Sequence, residues 1–365
     1  MGRIHISKLL PGMVLEADVY NEADQLILPE GLKLTDRAIE KLTYYGIDVV
    51  KIENEPDQLP ETEAAPEESS STEETYSERL KKTEEYKVFK EQFENAVNDV
   101  QGFLSDVVER NMPPDTTDIM NSIQEMLHPP GGDIVNVFDM IHNMRAFDDM
   151  TYVHCLNVGL ICNVFGKWLG LSKEEIDLAT ECGILHDIGK LKIPEAIIKK
   201  PAKLTDEEYK VIKSHPLEGY KILLPSTVNE HIKKACLQHH EKADGSGYPF
   251  GIKNDQMDFY SKMVCIADVY EAMTAVRIYR GSLSPFQVIE AFEREGLQKY
   301  DTKMIMTFLE NIINTYMLSH VKLSDGREGD IVFINKMRLS KPTVNCGGEF
   351  VDLTKNPEIS IVAIL

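Results

Sequence analysis

Five histidines and two aspartates stand in segments that otherwise read as apolar helix, and no fold can bury them there without giving each a partner. They are His154 in TYVHCLNVG, His186 and Asp187 in GILHDIGK, His215 in IKSHPLEGY, His239 and His240 in LQHHEKADGSGYP, and Asp268 in CIADVYEAM. One histidine on an apolar face is ordinarily a hydrogen-bonded core residue. Seven such groups within about 115 residues are better explained as ligands that folding brings together. Neighbours on a helix point about 100° apart, so His186 and Asp187 can address two metals, or one can bind terminally while the other bridges. His239 and His240 pose the same geometry. Nitrogen and oxygen donors without a thiolate suit a pair of first-row divalent ions with room for a bridging hydroxide. Such a pair, roughly 3.5–4 Å apart, polarises a phosphoryl oxygen and lowers the pKa of bound water to about 7, which serves phosphodiester hydrolysis.

The segments around this region differ in kind. Residues 1–52 read as a small α+β unit, with strands in MVLEADVY, QLILPEG and IDVVKI and a helix from Thr35 to Gly46. Residues 53–80 are acidic and rich in Pro and Ser, which predicts a disordered linker. Residues 81–130 form a helical connector. Its apolar stripe of Tyr86, Phe89, Phe93, Ala96, Val97, Val100, Phe103, Leu104 and Val107 fits either a helix packed on its own domain or a short dimerising coiled coil. Asn111-Met112-Pro113-Pro114 stops that helix, and His128-Pro129-Pro130-Gly131-Gly132 closes the next. Residues 131–320 are overwhelmingly helical. Residues 321–365 turn β-rich, with strands in VKLSDGREGDIVFI, TVNCGGEFVDL and ISIVAIL, and turns at Asp325-Gly326 and Gly347-Gly348. This tail is expected to pack with residues 1–52. The fold class is mainly α, an all-helical catalytic domain with small α+β or β-rich units at both ends.

Composition narrows the function. The net charge is −21, and ten acids without a Lys or Arg between Glu53 and Glu78 account for about half of it. An acidic surface argues against coating a nucleic acid polymer or an anionic membrane. No stretch has the roughly 18 apolar residues of a membrane span, and the N-terminus lacks an export signal, so a cytoplasmic protein is expected. The six cysteines show no C-x-x-C pair. Cys155, Cys162, Cys182 and Cys265 read as buried thiols of a reducing compartment.

The motifs, taken in order, are GILHDIGK, KPAKLT, SHP, HHEKADGSGYP, ADVYEAM and RIYR. Together with His154 upstream they resemble the HD superfamily of metal-dependent phosphohydrolases. HHEKADGSGYP matches the HHExxDGxGYP signature of its HD-GYP subfamily over roughly residues 145–300. The resemblance implies that His154, His186, Asp187, His215, His239, His240 and Asp268 are metal ligands, with Asp187 as the bridge. It implies two divalent ions per chain, iron or manganese. Lys190, read as lying on the helical face of His186, matches a lysine that contacts substrate phosphate. Arg277 and Arg280 match the RxYR segment and would clamp a second phosphate. Lys200 also has a counterpart, although Lys199 beside it loosens the match. Tyr248 either stacks on a guanine or pins its loop. Some members carry a glutamate four residues before the first histidine that helps hold a third metal. Met150 stands there in this chain, which favours two metals.

The implied activity is hydrolysis of cyclic di-GMP to linear pGpG, with further cleavage to GMP left open. The alternatives are cyclic GMP-AMP as substrate, or a nucleotide-sensing, partner-binding signalling protein with little or no catalysis. Another HD phosphohydrolase, acting on nucleotides or alarmones, is disfavoured by the intact Gly247-Tyr248-Pro249. A homodimer is expected, and a GGDEF-domain protein is a conceivable partner.

Overall fold

In a computed structural model, the described residues are most of 2–53, then 81–127, 150–275 apart from 201, and 283–365, with a few positions between 138 and 144. The acidic stretch, the His128–Gly132 break, Thr35, Gly46, Arg277 and Arg280 lie outside them. Two compact units emerge, one of residues 1–79 with 127–135, the other of residues 80–126 with 136–365.

In the first unit, β1 (Gly2–His5) pairs antiparallel with β4 (Val49–Ile52), and β2 (Val19–Tyr20) with β3 (Leu26–Leu28). Period-2 alternation on β4 buries Val50 and Ile52 in a core with Met13, Leu15, Leu34 and Leu42, while Val49 and Lys51 face water. The strand β1 gave no sequence signal of its own.

The second unit begins with α1 (Glu84–Glu109). Thr83 caps it by accepting from the Tyr86 N–H at 3.2 Å, and Glu84 and Glu85 suit the positive end of its dipole. Its stripe from Tyr86 to Val107, apart from the half-buried Phe103, is buried within this chain, and the helix packs against α3 (Met150–Trp168) and the 3-10 turn Ile188–Lys192. The helix α2 (Thr117–Leu127) docks on α4 (Lys173–Leu185) through Thr116 to Glu181 and Gln124 to Asp177. Five shorter or mid-length helices follow, α5 (Glu195–Ile198), α6 (Asp206–Ile212), α7 (His215–Leu223), α8 (Glu230–Gln238) and α9 (Phe259–Thr274). Then come α10 (Pro285–Glu295) and α11 (Thr302–Thr315). Reciprocal capping boxes start α4 at Ser172/Glu175, α6 at Thr205/Glu208 and α10 at Ser284/Gln287. No helix among the described residues is long and apolar enough to cross a membrane.

The tail is a five-stranded antiparallel sheet in the order β8-β7-β6-β5-β9, made of His320–Leu323 (β5), Glu328–Phe333 (β6), Thr343–Cys346 (β7), Glu349–Asp352 (β8) and Ile361–Ile364 (β9). Contrary to the sequence expectation, it belongs to the helical unit rather than to residues 1–52. The reason is a polar anchor on α10. Ser340 donates to Glu293 at 2.5 Å, and the buried Lys341 pairs with Glu290 at 3.3 Å while donating to the Pro357 and Ile359 carbonyls.

Candidate metal centre

Two close contacts position the centre. A Cβ on Gly183 of α4 would stand 2.8 Å from Gly159 Cα of α3, so only glycine lets these helices approach so nearly. His154 on α3 and His186 at the end of α4 then meet, Nε2 to Nε2, at 3.2 Å. A Cβ on Gly189 would fall 2.0 Å from the His215 carbonyl oxygen, so the turn after Asp187 rests directly on the start of α7.

His186 and Asp187 are not neighbours within one helix, as the sequence reading supposed. His186 caps the C-terminal end of α4 while keeping right-handed helical angles, and Asp187 turns out of it at φ −104°, ψ 10°. Lys190 accordingly sits on the 3-10 turn, three residues from Asp187, with its ammonium against Asp187 Oδ2. His239 likewise ends α8, with His240 just beyond it.

The Asp187 carboxylate lies at the middle. Its Oδ2 is 3.3 Å from both His154 Nε2 and His186 Nε2. Its Oδ1 is 3.1 Å from His215 Nε2 and 3.6 Å from His239 Nε2, and those two nitrogens are 3.1 Å apart. Both oxygens are buried, yet neither accepts a hydrogen bond of proper geometry. Donors spaced by about 3 Å around a centre are what ligands 2.0–2.2 Å from a shared ion require. Two groups of ligand atoms result, His154, His186 and Asp187 in one and Asp187, His215, His239 and His240 in the other. Asp268 extends both, with Oδ1 3.1 Å from His154 Nε2 and Oδ2 3.7 Å from His240 Nδ1. The structure thus brings together all seven residues singled out in the sequence, and this mostly buried cluster, with both Asp187 oxygens lacking a hydrogen bond of proper geometry, fits divalent metal.

Ring orientation is set from behind. His186 Nδ1 is 2.6 Å from the Gly183 carbonyl, His215 Nδ1 2.7 Å from that of Ile212, and His239 Nδ1 2.9 Å from that of Cys236. Each Nδ1–H donates to its carbonyl, leaving the Nε2 lone pair facing the cluster. His154 differs: its Nδ1 faces the buried carboxylate of Glu271, which also accepts from Asn157. Sequence reasoning assigned no role to Glu271. Its signal was there, three residues past Asp268 and hence on the same face of α9.

Protonation states agree with ligation. Burial holds His239 down to about 4, and burial with the neighbouring His239 holds His240 well below its usual value, so both are neutral. Burial opposes ionisation of Asp187 and Asp268. Lys190 and His186 around Asp187, and His154 and His240 around Asp268, outweigh it and keep both carboxyls well below the usual range. Burial also opposes the charge on Lys190, and Asp187 overcomes it.

The Gly247-Tyr248-Pro249 loop closes one side. Glu241, fully buried and unassigned from sequence, accepts from the Phe250 N–H at 2.7 Å and the Ile252 N–H at 3.1 Å, and the Tyr248 N–H donates to the His240 carbonyl. The Tyr248 ring stacks on His240 with centroids 4.6 Å apart. Lys200 is not directed at the cluster by any contact described; Glu208 holds its ammonium at 2.6 Å and 2.7 Å.

Residues 141–304 match the family model described as HD domain. The chain is 31% identical over 202 residues to a cyclic di-GMP phosphodiesterase of Pseudomonas aeruginosa, covering 55% of this chain and 49% of that one. It is 34% identical over 181 residues to a 3'3'-cGAMP-specific phosphodiesterase of Vibrio cholerae, covering 49% and 42%. It thus spans about half the length of these curated relatives. A solved HDGYP protein from Bdellovibrio bacteriovorus aligns over 85% of this chain and 99% of its own, with TM-score 0.45 and 14% identity.

Proposed function

We propose that this chain, whose residues 141–304 match the HD domain model, is a metal-dependent phosphodiesterase of the HD-GYP type that opens cyclic di-GMP to linear pGpG. The observation that carries this reading is Asp187. One buried carboxylate presents each of its two oxygens to a different pair of histidines, and besides them only the Lys190 ammonium, against Oδ2, meets it among the described residues. Asp187 with the five imidazoles and Asp268 would hold two divalent ions, and this nitrogen and oxygen donor set suits iron or manganese.

When bound, the metal pair supplies Lewis acidity at a phosphoryl oxygen and an activated water. The chain's own residues do the rest. His154, His186, His215 and His239 are held by their Nδ1 partners with Nε2 inward, so the donors are arranged before metal arrives. Lys190, kept protonated by Asp187, provides a fixed positive charge for a phosphate oxygen. Tyr248, stacked on His240 in a loop that Glu241 holds at Phe250 and Ile252, keeps that side of the cluster shaped.

Cyclic GMP-AMP is the second substrate reading, supported by the similarity to the Vibrio cholerae enzyme. Hydrolysis of both dinucleotides by protein purified without chelator, beside a His186→Ala, Asp187→Ala variant, tests the proposal. Turnover that needs added iron or manganese and is absent from the variant is expected. Two bound metals without turnover of either dinucleotide would favour the nucleotide-sensing alternative.

A further inference from the structure

We propose that Lys213, clasped between the rings of Tyr209 and Tyr248, adds an outer cation at the second phosphate of the substrate, beside the role expected there for Arg277 and Arg280, with the exposed Tyr209 receiving a purine base. The inference rests on the cyclic dinucleotide reading above. A cyclic dinucleotide brings two phosphodiesters. One reacts at the metal cluster, and the other carries a charge that a neighbouring cation must meet.

Arg277 and Arg280 lie outside the described residues, and the two lysines singled out from the sequence are already committed. Lys190 is held by Asp187 and Lys200 by Glu208. Lys213 has no carboxylate within ion-pair distance among the described residues. Its Nζ lies 4.7 Å from the Tyr248 ring centroid and 5.1 Å from that of Tyr209. Two aromatic faces hold an ammonium in place without neutralising it, which leaves its charge for an anion.

Its position is as telling as its charge. Lys213 ends α6, two residues before the cluster histidine His215 that begins α7. Tyr248 connects it to the cluster from the other side, through the 4.6 Å stack on His240. A continuous line of contacts therefore runs from His240 through Tyr248 and Lys213 to Tyr209. Tyr209 at its outer end is 49% exposed, although it is a large aromatic residue. An open aromatic face beside a held cation is how proteins stack a base while meeting its phosphate. The contact is base-tolerant, because every purine offers a π-face, so it accommodates cyclic di-GMP and cyclic GMP-AMP alike.

The test compares three diesters on the manganese-loaded full chain: cyclic di-GMP, cyclic GMP-AMP, and bis(p-nitrophenyl) phosphate, which has one phosphate and no purine. Lys213→Met is expected to raise KM for the cyclic dinucleotide about tenfold with kcat altered by less than about twofold. Lys213→Arg should recover most of that loss. Tyr209→Ala should raise KM similarly, and Tyr209→Phe, which keeps the ring, should not. The ratio of kcat/KM for cyclic dinucleotide to that for bis(p-nitrophenyl) phosphate should fall about tenfold in Lys213→Met. An unchanged KM in both Lys213→Met and Tyr209→Ala, or equal losses on all substrates, would overturn the subsite and leave these residues as supports of the loop. Wild-type protein that hydrolyses none of the three diesters would overturn the phosphodiesterase reading, and the subsite with it.

Discussion

His154 Nδ1 lies 2.5 Å from Glu271 Oε2, across 117 positions of sequence, and Asn157 Nδ2 donates to the other oxygen of the same carboxylate at 3.1 Å. Alone among the four histidines whose Nε2 faces Asp187, His154 is backed by a charge rather than by a backbone carbonyl. A carboxylate behind a ligating imidazole raises its basicity and fixes its ring.

Glu271→Gln should therefore weaken metal binding on the His154 side of Asp187 by about tenfold, the low end of what loss of such a partner costs. Titration calorimetry with manganese reads this as a change in one of two binding events. Equal weakening of both events would mean that Glu271 supports the whole fold instead.

Metal uptake should release a proton and weaken as pH falls. Burial works against a proton on His154, but Glu271, Asp187 and Asp268 outweigh it and hold the metal-free imidazole well above its usual value. Below that raised value the ring is protonated, and a metal must displace the proton to reach Nε2. His239, at about 4, and His240, also lowered, enter neutral near pH 7 and release none. Apparent affinity is expected to drop about tenfold per pH unit for each proton displaced. Calorimetry in buffers of different ionisation enthalpy counts that proton, and Glu271→Gln should reduce the count.

Gly183→Ala places a methyl group 2.8 Å from the Gly159 Cα, where backbone stands on both sides. The overpacking should cost about 1–3 kcal/mol of stability, visible as a lower Tm. Because His154 and His186 ride on the two helices being separated, metal affinity should fall with it.

Glu241→Gln removes one of two oxygens that each serve a different backbone N–H of the loop after Tyr248. One of those amides then lacks its partner, at a cost of about 1–3 kcal/mol. Hydrogen exchange at Phe250 and Ile252 should accelerate, while amides of α3 stay protected. Unchanged exchange at both amides would show that the loop is held by other means.

The sequence by itself singled out the seven histidines and aspartates that the fold gathers around Asp187, and the helical nature of most segments that carry them. Imidazole and carboxylate groups in apolar helices carry a desolvation cost that only mutual satisfaction relieves, and that demand is readable without coordinates. The tail strands were legible for a similarly local reason, since alternation and the Asp325-Gly326 and Gly347-Gly348 turns are short-range signals. Tertiary structure alone decided which Asp187 oxygen faces which histidines, and that Glu271 stands behind His154. It also decided that Glu208 occupies Lys200, that the stripe of α1 is buried within this chain, and that the tail sheet anchors to α10 through Lys341 and Glu290. Each of these is a contact between residues whose spacing along the chain has no period. Helical or strand repeats record which face an element buries, whereas the partner on that face depends on how the whole chain packs.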